Sequence, residues 1–118
     1  MCGIAGIWNS SAAEPEAQVR AMLSAILHRG PDGSGTLAFP GGAGGMVRLA
    51  LVDLSPRGQQ PLWSADRKVA ILFNGEMYNH AAERKRLAAA GYAFKSESDT
   101  EVVLALYLER GLGFVDSI

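Results

Sequence analysis

The sequence predicts a strand-rich fold that mixes α and β elements without the regular β-α-β alternation of a doubly wound sheet. Three observations carry this. Hydrophobic periodicity switches along the chain between the two-residue repeat of strands and the 3.6-residue repeat of helices. Apolar, strand-like segments follow one another between Thr36 and Phe73 with no helical pattern among them. Glycine and proline stop the helical segments, at Gly30-Pro31 and again at Gly91.

Taken in order, residues 2–8 alternate as a strand and residues 9–14 turn the chain. Pro15 suits the first turn of a helix. Val19, Met22, Leu23, Ile26 and Leu27 then fall at i, i+3, i+4, i+7 and i+8 and make one apolar stripe. The Gly-rich stretch 40–45 reads as a hairpin loop joining short strands at 36–39 and 46–54. A phosphate cradle is disfavoured there, because no Lys-Ser/Thr follows and no helix opens. Residues 55–65 read as a loop before an apolar strand at 69–73. Asn79 is placed to cap a helix running through Ala90, with Gly91 at its end. Residues 92–95 read as a short strand, and Ser98 with Glu101 has the spacing of a capping box for a helix ending at Gly111.

Bulk properties bound the function. The 118 residues are 48% hydrophobic and carry a net charge of −1, so one domain with a real core is possible, with no electrostatic pull toward nucleic acid or an anionic membrane. The longest apolar run, 102–108, is far short of the roughly 20 residues a membrane-spanning helix needs. The N-terminus lacks the basic region of a signal peptide. A lone cysteine forms no internal disulfide, which points to a reducing, cytoplasmic compartment. Cys2, His28 and His80 show no zinc-ligand spacing, so no metal is expected.

That cysteine follows the initiator methionine directly. Initiator methionine is normally trimmed when the next side chain is small, and cutting the one peptide bond leaves a thiol and a free α-amine on one residue. The amine, with a pKa of about 7.7–8.0, suits proton transfer near neutral pH, and the thiol supplies a nucleophile beside its own base. By position alone Cys2 reads first as a small buried hydrophobe opening a strand, and only the rest of the sequence reverses that preference. Other residues are similarly double. Asn74-Gly75 is the signature of a type I′ hairpin turn. Arg48 can point to solvent from its strand, and Asp99 suits the macrodipole in the first turn of a helix. His28 and Arg29 suit a helix C-terminus, and Gly30-Pro31-Asp32-Gly33 makes turns, so neither His28 nor Asp32 is read as an acid or base.

Met1-Cys2-Gly3-Ile4-Ala5-Gly6, His28-Arg29-Gly30-Pro31-Asp32-Gly33, Arg48-Leu49-Ala50-Leu51-Val52-Asp53, Phe73-Asn74-Gly75-Glu76-Met77-Tyr78-Asn79 and Ser98-Asp99-Thr100-Glu101 occur in that order. As an ordered set they resemble the glutaminase domain of glutamine-hydrolysing asparagine synthetases, a class II glutamine amidotransferase of the N-terminal-nucleophile hydrolase superfamily. The resemblance runs from Met1 essentially to Ile118. It implies an α+β fold, a four-layer αββα sandwich with the nucleophile at the end of an inner strand. It also implies that residues 1–118 are the N-terminal part of such a domain. A sheet lacking the remaining strands would leave an unpaired edge and an apolar face, so the chain is expected to be part of a larger protein, a split protein or a truncated one.

The chemistry implied by the resemblance is hydrolysis of the glutamine side-chain amide through a Cys2 thioester, with ammonia passed to an ATP-dependent synthetase domain or subunit that amidates an acceptor such as aspartate. Asn74 and the Gly75 N–H would form the oxyanion hole. Arg48 would clamp the glutamine α-carboxylate, Glu76 and Asp99 would accept from its ammonium, and backbone near Leu51 and Val52 would line the pocket. The 28–33 loop would shape that pocket. ATP and Mg2+ would belong to the synthetase partner, with no cofactor in this chain, and a homo-oligomer stays open. Where the family usually has a histidine two residues before the arginine, this chain has Met46, which bears on local packing. Two alternatives stand beside this reading: another class II amidotransferase, acting on a sugar or polysaccharide precursor, and a catalytically inactive scaffold or fragment that keeps Met1 or never receives the missing half of the domain.

Overall fold

The computed structural model describes residues 2–9, 11, 13–51 and 54–118. Strands β1 (Gly3–Ile7), β2 (Gly33–Phe39) and β3 (Gly42–Arg48) form an antiparallel sheet in the order β1-β3-β2. Gly3 pairs with Val47 and Ile7 with Ala43; on the other edge Gly33 pairs with Arg48 and Phe39 with Gly42. Helix α1 (Pro15–Ala25) covers one face of this sheet, burying Val19 and Leu23 against Ala43 and Val47, with Ala5, Ile7 and Ile26 around them.

All seven residues of β3 are buried, and the strand begins inside the Gly-rich stretch expected to be a loop. The physical reason is crowding on both faces. A Cβ on Gly45 would lie 2.8 Å from the Leu23 side chain, and one on Gly44 would lie 2.9 Å from that of Leu72. Glycine is what lets a helix and a second layer close on the central strand. The loop shrinks to Pro40-Gly41, with Gly41 at φ +83°. At its other end β3 stops at Arg48 instead of running to residue 54, because the Ala50 N–H bonds to the Asp32 carboxylate at 2.9 Å and not to a neighbouring strand. The α1 stripe is also shorter than its periodicity: a 3-10 turn at Leu27–Arg29 follows the helix, leaving Met22 and Leu27 exposed.

The segment expected to be a loop, 55–65, contains a 3-10 turn at Pro56–Gly58 and strand β4 (Leu62–Trp63), which pairs with β5 (Ala70–Ile71). The expected strand at 69–73 is thus two residues long. Helix α2 (His80–Ala89) packs on helix α3 (Asp99–Arg110), which packs on this hairpin, and the core joins Met77, Leu87, Val102, Val103, Ala105 and Leu106 to Ile71, Phe73, Tyr92, Phe94 and Phe114. Arg86 ties α2 to α3 through Glu109 at 2.7 Å and holds that carboxyl below its usual range, but the pair is exposed and weakly stabilising.

Three local expectations change here. Residues 92–95 form no strand: the Tyr92 N–H closes back on Leu87 O, and the Lys95 N–H bonds to Glu101 at 2.9 Å. The capping box does not close, because the Glu101 carboxylate reaches past Ser98 to the Lys95 and Ser96 amides and the Ser96 hydroxyl. Ser98 still caps α3, accepting from the Thr100 N–H at 3.1 Å. Asn79 stands at the cap position of α2, but its side chain donates to Ser117 O instead. Burial, and then the nearby Glu101 carboxylate, push the Tyr92 hydroxyl up from its ordinary value.

Leu106 is fully buried in the second core. Leu106→Ala should therefore destabilise the fold by about 2–5 kcal/mol, measured as a shift of the urea midpoint with an unchanged slope.

Candidate functional site

The Cys2 thiol rests on the peptide where β3 ends. Leu49 N–H donates to Sγ at 3.3 Å, and Sγ–H approaches Leu49 O at 3.6 Å. The Arg29 guanidinium donates to the Cys2 carbonyl at 3.1 Å, so Leu49 holds the sulfur and Arg29 holds the backbone of the same residue. That loop comes so close because residue 30 is glycine, where a Cβ would meet the Arg48 backbone at 2.6 Å. Asp32 N–H then bonds to Arg48 O at 3.0 Å. Asp32 thus braces the turn after β3 with its backbone and its carboxylate, while His28 is exposed in the 3-10 turn.

A cleft of about 80 Å3 opens beside the thiol, lined in part by Cys2, Arg48, Leu51, Gly75, Glu76 and Asp99. It is well below the roughly 300–1,000 Å3 of drug-sized pockets, so it suits the end of a small ligand. Larger hollows elsewhere, such as one of about 240 Å3 between α1 and β2, do not include the thiol. Arg48 is only 8% exposed, and its guanidinium donates to Ser55 O at 3.1 Å. Asp99 is 7% exposed: one carboxylate oxygen accepts the Met77 N–H at 3.0 Å and the other the Thr100 N–H at 2.8 Å. Buried charges need such partners, and the helix-terminal position of Asp99 coexists with its place on the cleft wall.

Six of the eight residues proposed from sequence therefore share one surface. Asn74 is exposed between β5 and α2 and is not among the residues lining the cleft, whereas Gly75 beside it is. The pair makes no hairpin turn, since a helix and not a strand follows. Val52 lies outside the described residues. Met46 is fully buried on the central strand and paired with Ile4 and Gly35.

The family model for a glutamine amidotransferase domain matches residues 1–118, the whole chain. The chain belongs to the glutamine amidotransferase family. It is 40% identical over 111 residues to glutamine-hydrolysing asparagine synthetase 1 of Bacillus subtilis strain 168, covering 91% of this chain and 17% of that protein. It is 38% identical over 120 residues to asparagine synthetase B of Escherichia coli strain K12, covering 100% of this chain and 21% of that one. Amidase chyE of Penicillium rubens is 35% identical over 130 residues, covering 100% of this chain and 19% of that protein. The chain thus spans about a fifth of the length of the curated relatives it matches.

Two residues that support the cleft of this amidotransferase domain were given no individual role from sequence. Arg29 looked like a cation at a helix end, and only the fold puts it on the Cys2 carbonyl. Gln60, in a segment read as loop, is 5% exposed and lines the cleft. Its preceding-proline context marks a turn but says nothing of a side chain bonded to distant backbone. Among the described residues no helix is long and apolar enough to cross a membrane.

The bracing role of Asp32 is open to test. Asp32→Ala should lower stability by about 1 kcal/mol, the loss of one exposed hydrogen bond to the Ala50 amide. Glutamine turnover should keep the shape of its pH profile, as a kcat series across pH would read out; a lost ionisation would make Asp32 a base.

Proposed function

We propose that this domain hydrolyses the side-chain amide of glutamine and that the ammonia is used by an ATP-dependent synthetase partner to amidate an acceptor such as aspartate. The observation that supports this best is the single cleft shared by Cys2, Arg48, Leu51, Gly75, Glu76 and Asp99. A lining with one guanidinium and two carboxylates complements a zwitterionic amino acid, and a thiol at its edge is the nucleophile an amide requires.

After removal of Met1, the Cys2 α-amine takes the thiol proton and the sulfur attacks the amide carbon. The proton passes to the leaving nitrogen, ammonia departs, and a γ-glutamyl thioester remains. Water, activated by the same amine, then releases glutamate and restores the thiol. Negative charge builds on the amide oxygen in both steps, where the Asn74 side-chain amide and the Gly75 N–H donate. Arg48 pairs with the glutamine α-carboxylate, Glu76 and Asp99 accept from its α-ammonium, and backbone near Leu51 and Val52 lines the side.

In this reading the layers on either side of β3 belong to a four-layer αββα sandwich. The protein works in the cytoplasm without nucleic acid. ATP and Mg2+ are handled by the synthetase partner. The asparagine synthetase relatives do not favour the sugar or polysaccharide alternative.

Cys2→Ala should abolish glutamate release in the intact protein, and a species that keeps Met1 should be equally inactive, because its amine is locked in a peptide bond. Intact mass paired with a glutamate assay checks both. Asn74→Ala should lower kcat by roughly 10²–10³ with a much smaller change in KM, since the donor matters most once the oxygen is an anion. Normal turnover in a stable Asn74→Ala protein would remove Asn74 from the site.

Charge recognition gives a separate test. Arg48→Ala should chiefly raise the glutamine KM, at a cost of about 2–5 kcal/mol. Asp99→Asn should do the same; it keeps an acceptor for the Met77 N–H but sets an amide NH2 against the Thr100 N–H, so a lower melting temperature should accompany the change in KM. Saturation curves with unchanged KM in both variants would leave the two residues as structural groups only.

A further inference from the structure

We propose that Gln60 is a positioning residue for the glutaminase reaction: its carboxamide acts as a rung of β-ladder that holds the Phe73 backbone and thereby aims the adjoining Asn74–Gly75 donors. This rests on the reading of Asn74 and Gly75 as oxyanion donors given above.

The register supplies the first part of the argument. β4 and β5 pair Trp63 with Ala70 and Leu62 with Ile71. Extended two residues beyond both strands, the same register would set Gln60 opposite Phe73. Antiparallel pairs alternate between hydrogen-bonded and non-bonded, and Ser64 N–H bonds to Val69 O at 2.9 Å. By that alternation the 60–73 pair falls where both backbone bonds are due. The Gln60 side chain makes them instead: Oε1 accepts the Phe73 N–H at 2.6 Å, and Nε2 donates to Phe73 O at 3.1 Å. An amide N–H must meet an acceptor and a carbonyl a donor, which fixes the orientation of the carboxamide.

Placement supplies the second part. Nε2 also donates to Thr100 Oγ1 at 3.2 Å, tying the same group to the first turn of α3. One residue before Thr100, Asp99 accepts the Met77 N–H. The stretch from Asn74 to Glu76, exposed and outside any helix or strand, is therefore strung between two anchors, Gln60 at Phe73 and Asp99 at Met77. Gln60 is buried and neutral. It stiffens the N-terminal anchor without adding a charge beside a developing anion. Oxyanion donors act only within about 2.7–3.1 Å of the oxygen, and a displacement near 1 Å can cost about a hundredfold.

The test compares Gln60→Leu and Gln60→Glu with the parent in the intact protein, reading glutamine kcat and KM, melting temperature, and amide hydrogen exchange at residues 74–76. Gln60→Leu removes the two bonds to Phe73 and the one to Thr100. It should lower kcat roughly 10–100-fold with KM changed less than about threefold, and exchange at 74–76 should quicken. Gln60→Glu keeps the acceptor for Phe73 N–H but sets a carboxylate against Phe73 O, and should fall between the two. A folded Gln60→Leu protein with parental kcat overturns the proposal, and so does a lower melting temperature with parental turnover per folded molecule. If Gln60→Leu does not fold, parental kcat in Gln60→Glu overturns it. If the parent itself releases no glutamate, the glutaminase reading is what fails, and unchanged exchange at 74–76 in either variant then overturns the proposal on its own.

Discussion

Everything around the cleft depends on how tightly the chain crowds the end of β3. At Arg48 and Leu49 the backbone receives the Gly30 loop at a distance no other residue allows, accepts the Asp32 N–H, and presents its next peptide to the Cys2 thiol. The Cys2 thiol, the buried guanidinium and the loop that braces them are thus one contact viewed from three segments. A side chain at residue 30 would push the loop off the strand, and both the Arg29 bond to the Cys2 carbonyl and the Asp32 bond to Ala50 would open with it.

The same crowding explains the composition of β3. A strand buried on both faces normally carries Val, Ile or Leu, yet Gly42, Gly44 and Gly45 occupy three of its seven positions. Apolar bulk comes from the neighbours, with Leu23 of α1 reaching down on one face and Leu72 on the other. Short side chains at the centre bring the layers close, and the cleft sits where that closeness ends.

The irregular segments bordering the cleft share a second device. Lacking ladder partners, their backbone groups are satisfied by side chains: Asp32 for Ala50, Gln60 for Phe73, Asp99 for Met77, and Glu101 for Lys95 and Ser96. Arg84 supplies the complementary donors to Ser96 O and Ser98 O. Buried carboxylates such as Glu101 are thereby paired with peptide N–H groups, which offsets the cost of burying charge.

Local signals were legible wherever the residue and its neighbours in sequence sufficed. The sequence by itself determined the strand at the N-terminus, the helices starting at Pro15 and ending at Gly91 and Gly111, and the ordered motifs that bring six candidate residues to one cleft, because periodicity, caps and motif spacing are properties of adjacent residues. It misassigned the Gly-rich stretch, the 46–54 strand, the 92–95 strand and the Glu101 capping partner, since each depends on what another segment offers. A glycine run is a loop in isolation and a buried strand when a helix and a hairpin close on it. Only the tertiary structure decided where β3 ends, that Glu101 reaches past Ser98, and that Arg29 and Gln60 bond to the backbone of Cys2 and Phe73, because side-chain bonds to backbone distant in sequence leave no periodicity to read.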